Sequence, residues 1–194
     1  MNEAGDVAIV NVQSKSTSTA SDVRCVVNFG VAPEPWLRYE AHILGARMPK
    51  QVGASLTLWG DRLSAPSTNG SELWWRVTDE TSAAAVTAEI LGSLDARVLQ
   101  QLDLLLDRRN FLSSVRAGDL GFFQRREVLV GMFARAEALL LMDDGPSSRL
   151  SALVEQMEAT ANPFQQKSTH AAIAWIRNQA AAAEATQQRS DGRA

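Results

Sequence analysis

The sequence predicts an α+β protein, a small antiparallel sheet packed by helices and followed by a C-terminal helical bundle. Three observations carry that class. Up to about residue 78, β-branched runs alternate with polar turns, and beyond it Leu, Ala and Arg recur at helical spacing. Within the first part, Val23, Cys25, Val27, Phe29 and Val31 share one side of a strand over Asp22–Val31. Finally, the short polar stretch Ser16–Ser21 joins this strand to the one before it, which suits an antiparallel hairpin. The expected organisation is an α+β domain over 1–112, a helical extension over 113–185 and a disordered tail over 186–194.

Val7–Ser14 reads as the first strand, with Val7 and Ile9 on one face and Ala8, Val10 and Val12 on the other. Apolar residues on both faces predict a strand interior to the sheet. Pro33 and Pro35 end the second strand, since proline donates nothing to a ladder. Trp36–Gly45 fits either a short helix or an irregular loop, and Leu56–Trp59 fits a short strand. Pro66–Gly70 is a loop by composition. Leu73–Val77, with its paired tryptophans, also reads as a strand.

Asp79 or Thr81 can cap a helix with the stripe Val86, Ile90 and Leu94. Gly92-Ser93 is expected to break it, with Ser93 or Asp95 capping a second helix through Val98, Leu102, Leu105 and Leu106. A helix over about 121–142 follows, anchored by Phe122, Leu129, Val130, Phe133, Leu139 and Leu140. Gly131 inside it costs about 1 kcal/mol relative to alanine. Asp144-Gly145-Pro146 predicts the entry to a helix with the stripe Leu150, Leu153, Val154 and Met157. Asn162-Pro163 turns the chain into a last helix anchored by Ala172, Ile173, Trp175 and Ile176. Beyond Ala183 no apolar anchor remains, which predicts fraying.

Composition excludes several function classes. The 194 residues carry 19 Lys+Arg against 22 Asp+Glu, a formal charge of −3. Residues 1–78 hold seven basic and seven acidic side chains, and 79–194 hold 12 and 15. Neither half is a basic pole, so nucleic acid is not the expected partner. No apolar run approaches the roughly 20 residues that a membrane helix needs, and no signal-peptide core is present. A cytoplasmic protein is expected. One cysteine, Cys25, and two histidines, His42 and His170, leave little for a disulfide, a metal site or a His relay, and no metal or cofactor is expected. Cys25 lies in apolar register and reads as a small core residue. Asp143-Asp144 reads as helix capping, and Arg108-Arg109 and Arg125-Arg126 read as solvated helix faces. Phosphate loops, dinucleotide turns and nucleophile elbows are all missing.

Five residues remain as binding candidates: Gln13, Asn28, Arg62, Trp74 and Trp75. As neighbours on a strand, Trp74 and Trp75 must emerge on opposite faces. An uncovered ring would mark a binding patch, although strand one's pattern predicts that both faces are covered. Asn28 falls on the opposite strand face from Cys25, with Arg24 and Val26, where a buried amide needs partners and a cleft would offer a ligand.

These residues also carry a resemblance. Val-Asn-Val-Gln-Ser-Lys (10–15), Val-Val-Asn-Phe-Gly-Val (26–31), Gly-Asp-Arg-Leu (60–63) and Leu-Trp-Trp-Arg-Val (73–77) occur in that order. In order and spacing they resemble the family called domain of unknown function 4304, over residues 7–112. Members share a Gln-Ser strand, an Asn-bearing partner strand, an arginine ahead of a loop, and a Trp-Trp strand leading into helices. Gln13, Asn28, Arg62, Trp74 and Trp75 match those positions. The resemblance implies no catalytic role. By analogy with similar small bacterial domains it implies a partner-binding role, toxin neutralisation being one form. Such proteins begin with a helix and a strand before the Gln-Ser strand, where only six residues precede Val7 here. An upstream start, or a partner chain covering the sheet edge, is therefore expected. The sequence thus favours a non-enzymatic protein-binding module. The alternatives are an enzyme of unrecognised type, with Asn28, Arg62 and His42 meeting in a polar pocket, and a homo-oligomeric scaffold that associates through the sheet edge.

Overall fold

In the computed structural model, which describes residues 2–45, 47–48, 51–67, 73–121 and 131–191, the sheet is built around one strand, β2 (Val23–Ala32). β1 (Val7–Ser14) lies antiparallel to it, with Val7 opposite Ala32 and Ser14 opposite Cys25. Along the other side, β3 (Trp59–Leu63) pairs with Val27–Val31 and β4 (Trp75–Val77) pairs with Val23–Cys25. Two short strands thus share one flank of β2 end to end, and these four strands pair antiparallel throughout. The class is α+β, as the sequence predicts.

β1 is an edge strand, which corrects its expected interior position. Val10 and Val12 are 43% and 63% exposed. Helices cover the Cys25 side of β2, and their cover stops short of these two valines. Cys25, Val27, Phe29 and Val31 join Trp59, Leu63 and Trp75 against Val98, Leu102, Phe111 and Val115. A second apolar cluster, around Tyr39, Leu139, Leu153 and Ile176, holds the later helices together.

Residues 34–43 resolve to a helix, α1 (Glu34–Ile43), and its cap comes from far along the chain. Buried Asp6 accepts the Glu34 N–H (2.8 Å) and pairs with Arg108 (2.6 Å), so one carboxylate satisfies an orphan helix donor and anchors a later helix. Leu56–Trp59 is not a strand: Ala54–Leu56 form a 3₁₀ turn and β3 starts at Trp59. The strand at the tryptophans is shorter than predicted, with Leu73 bridged to Ala65 instead of in β4.

α2 (Glu80–Ser93) begins as the sequence predicts. Asp79 accepts the Ser82 N–H (2.7 Å) and the Ser82 hydroxyl accepts the Asp79 N–H (3.0 Å), a reciprocal cap. Gly92-Ser93 does not break the helix. Glycine weakens propensity but removes no N–H, and the chain continues through a π-helical turn (Leu94–Val98) into α3 (Leu99–Leu106). The wider turn coincides with fully buried Val98. The break falls at Asp107, whose side chain caps α4 (Arg108–Arg116) through the Arg109 and Asn110 N–H groups.

Of the helix predicted over 121–142, residues 122–130, with Phe122, Leu129, Val130, Arg125 and Arg126, lie outside the described residues. The described part is α5 (Met132–Leu141), and Gly131 precedes it at φ +83°, a left-handed position rather than a helix interior. Asp143 is not a cap. Both its oxygens take the Arg38 guanidinium at 2.6 and 2.7 Å, and Ser147 caps α6 (Ser148–Thr160) in its place. α7 (Gln166–Asp191) runs past the point at which composition predicts a tail. No described helix is long and apolar enough to cross a membrane.

Gly121 closes the domain onto the sheet. At φ +73° it bridges Gly60, where any Cβ would collide with the Gly60 carbonyl and press the Trp59 ring at 3.1 Å. Gly121→Ala is expected to cost about 2 kcal/mol or more, read as a lower urea midpoint at unchanged slope. A midpoint equal to wild type would show that the close approach is dispensable.

Candidate functional site

Strand register brings three of the five candidates into one row. Asn28 of β2 stands directly opposite Arg62 of β3, and across β1 it faces Asn11, with Gln13 two residues further along the same face. Asn28 Nδ2 donates to Gln13 Oε1 at 2.8 Å, and Arg62 Nε donates to Asn28 Oδ1 at 2.7 Å. Each bond orients the next, so the Asn28 amide has only one sensible orientation: nitrogen toward Gln13, oxygen toward Arg62.

The row borders an open cleft of about 210 Å³, whose other walls include Ser55, Thr57 and Asp61. Thr57 donates its hydroxyl to the Ala54 carbonyl (2.9 Å), which ties that wall to the 3₁₀ turn. Asp61 accepts the Arg62 backbone N–H at 2.8 Å. Gly30 makes the geometry possible: a Cβ there would stand 2.9 Å from Thr57 Cγ2, so a side chain would push the wall away from the sheet.

The tryptophans divide as neighbours on a strand must. Trp75 is buried among the helix-side core residues, its Nε1 without a partner among the described residues. Trp74 is half-buried on the other side of the sheet, with Lys15 Nζ 6.0 Å from its ring centroid, at the outer limit of a cation–π contact. The expectation that both rings are covered therefore holds for Trp75 and only partly for Trp74.

Chemically, the cleft offers amide, hydroxyl and guanidinium groups and one carboxylate. His42 does not join it; the ring is exposed and stacks on Trp175 (centroids 5.8 Å apart). Ser55 and Thr57 thus have no imidazole to take their protons, and Asp61 is engaged with backbone. Cys25 is buried under the sheet, where desolvation pushes its thiol above the usual range and keeps it protonated. Among the described residues no group of three or more His, Cys, Asp or Glu could hold a metal ion. A second concavity, of about 340 Å³, lies between α6 and α7 over Leu150, Val154 and Ala180, with Glu155 and Arg177 at its rim. No sequence signal pointed to it, because it comes from the packing of two helices whose stripes read simply as core.

The fold and this row define a small α+β domain with an open polar sheet face and a helical C-terminal half. The family model described as "Domain of unknown function (DUF4304)" matches residues 1–104, more than half of the chain, and the protein belongs to that family. No curated protein and no solved structure matches it.

Proposed function

We propose that this protein is a non-enzymatic binding module that holds a segment of another protein against the open sheet face at Gln13, Asn28, Arg62 and Trp74. The observation that carries this reading is the hydrogen-bonded row Gln13–Asn28–Arg62 at the mouth of the 210 Å³ cleft. Preoriented amides and a guanidinium recognise peptide groups and carboxylates without further ordering, which lowers the entropic cost of association. The half-buried Trp74 beside Lys15 adds an amphipathic ring of the type enriched at interfaces. The row has no nucleophile paired with a base, and that argues against the enzymatic alternative. Toxin neutralisation is one form such binding takes, and no feature of the cleft singles it out.

The test compares wild type with Arg62→Ala and Trp74→Ala, each checked by circular dichroism for retained fold. Partners crosslinked to the full chain in its own cells are identified by mass spectrometry. At least one partner should be retained by wild type and by the remote control Arg177→Ala, and lost by about tenfold or more in both site variants. A partner set identical in all four proteins would overturn the reading.

A further inference from the structure

The exposed flank of β1 has a geometry that names its own complement. Lys15, one residue beyond the strand, donates its N–H to the Arg24 carbonyl at 2.8 Å and continues the β1–β2 register. In an antiparallel pair, alternate residues turn their backbone polar groups to the same neighbour. Odd-numbered residues of β1 therefore bond β2, and Ala8, Val10, Val12 and Ser14 direct N–H and C=O outward. Among the described residues no other backbone group bonds that flank. It is eight residues long, with no proline and no charge. Natural edges are usually blunted by such devices, so an unblunted one calls for a strand to pair with.

We infer that β1 pairs antiparallel with β1 of a second copy about a two-fold axis at Asn11, joining two four-stranded sheets into one. Only the outward, even-numbered residues can form hydrogen-bonded pairs across this axis. The register with full overlap sets Val10 against the partner's Val12, Ala8 against the partner's Ser14, and Asn11 against its own mate. About eight backbone hydrogen bonds form, two for each hydrogen-bonded pair. The two exposed valines of the strand's helix-side face, Val10 and Val12, then cover each other across the seam. Charge agrees with this direction. Lys15 ends the strand and exposed Glu3 precedes it, so antiparallel pairing lays each basic end beside the partner's acidic end, where a parallel pair would oppose like charges. The isologous contact closes on itself and leaves no further copy of this edge free. It uses the outward backbone of β1 and the helix-side valines, and stands independently of the polar face proposed above.

Sedimentation equilibrium on the full chain should give twice the 21.1 kDa of one chain. Val10→Lys with Val12→Lys should return a folded monomer, since both positions are exposed. Val12→Pro removes only an outward N–H and should weaken the dimer by tenfold or more, with circular dichroism unchanged. In Asn11→Cys the introduced thiols meet at a non-hydrogen-bonded pair, where Cα atoms stand about 4.5 Å apart. Mild oxidation should then give a covalent dimer that Val10→Cys does not match. A monomer at all concentrations up to about 0.5 mM would overturn the inference, as would a dimer indifferent to the lysine pair and not trapped by Asn11→Cys.

Discussion

Trp59→Ala is expected to remove about 4 kcal/mol of stability, the largest loss of any single truncation in this fold. Trp59 is 1% exposed at the start of β3, tilted against Phe29 with ring centroids 5.9 Å apart and pressed close to Gly121. It lies where the sheet, α4 and the returning chain at Leu120 meet, and backbone on two sides keeps the cavity from collapsing. Trp59→Phe should cost less than half as much. Phenylalanine keeps most of the ring contact and discards a buried indole N–H that finds no acceptor among the described residues. Urea unfolding of the three proteins checks both values. A loss below about 1 kcal/mol for the alanine variant would mean that the ring does not fill the junction.

Glu137→Ala should cost about 3 kcal/mol. The Glu137 carboxylate is 4% exposed and accepts from Arg116 Nε (2.8 Å) and Arg149 Nε (2.9 Å), so it ties α5 to α4 on one side and α6 on the other. Removing one partner of a buried pair is costly, and the value sits at the low end because both guanidiniums are about half exposed and can turn to water. Burial alone would raise the Glu137 carboxyl; the bonds from Arg149 and Arg116 outweigh it and hold the group below its ordinary value. A lowered folded value means that the unfolded chain binds the proton more readily. The stabilisation is therefore full above the ordinary glutamate range, near pH 4.5, and is lost as pH falls through the lower folded value. Stability of wild type measured from pH 7 to pH 3 should fall more steeply in acid than that of Glu137→Gln. Parallel curves would show that this carboxylate adds nothing to the acid sensitivity.

Local chemistry explains which elements were legible. The alternation of β2 and the capping signature at Asp79 both involve neighbours a few residues apart, and both appear as read. Gly92-Ser93 misled because a glycine lowers propensity without removing a hydrogen bond, and the π-helical turn kept the apolar stripe aimed at the core. Asp143 misled for the opposite reason. Its carboxylate looked local, yet the partner, Arg38, is 105 residues away. β1 misled because an apolar pattern reports what a strand can bury and not which flank finds a neighbour; Val10 and Val12 remain exposed at an edge.

Of the candidate site, the sequence supplied the residues and not their relations. Gln13, Asn28 and Arg62 were singled out one by one, and no spacing along the chain joins positions 15 and 34 residues apart. Register joins them, because a side-chain period of two puts cross-strand partners on one face. By itself the sequence determined the α+β class, the buried Cys25 and the opposite placement of Trp74 and Trp75, all consequences of short-range periodicity. Only the tertiary structure decided that β1 is an edge, that Asp6 caps a helix 28 residues on, and that three scattered polar residues form one row, since each depends on contacts between segments that the chain brings together only by folding.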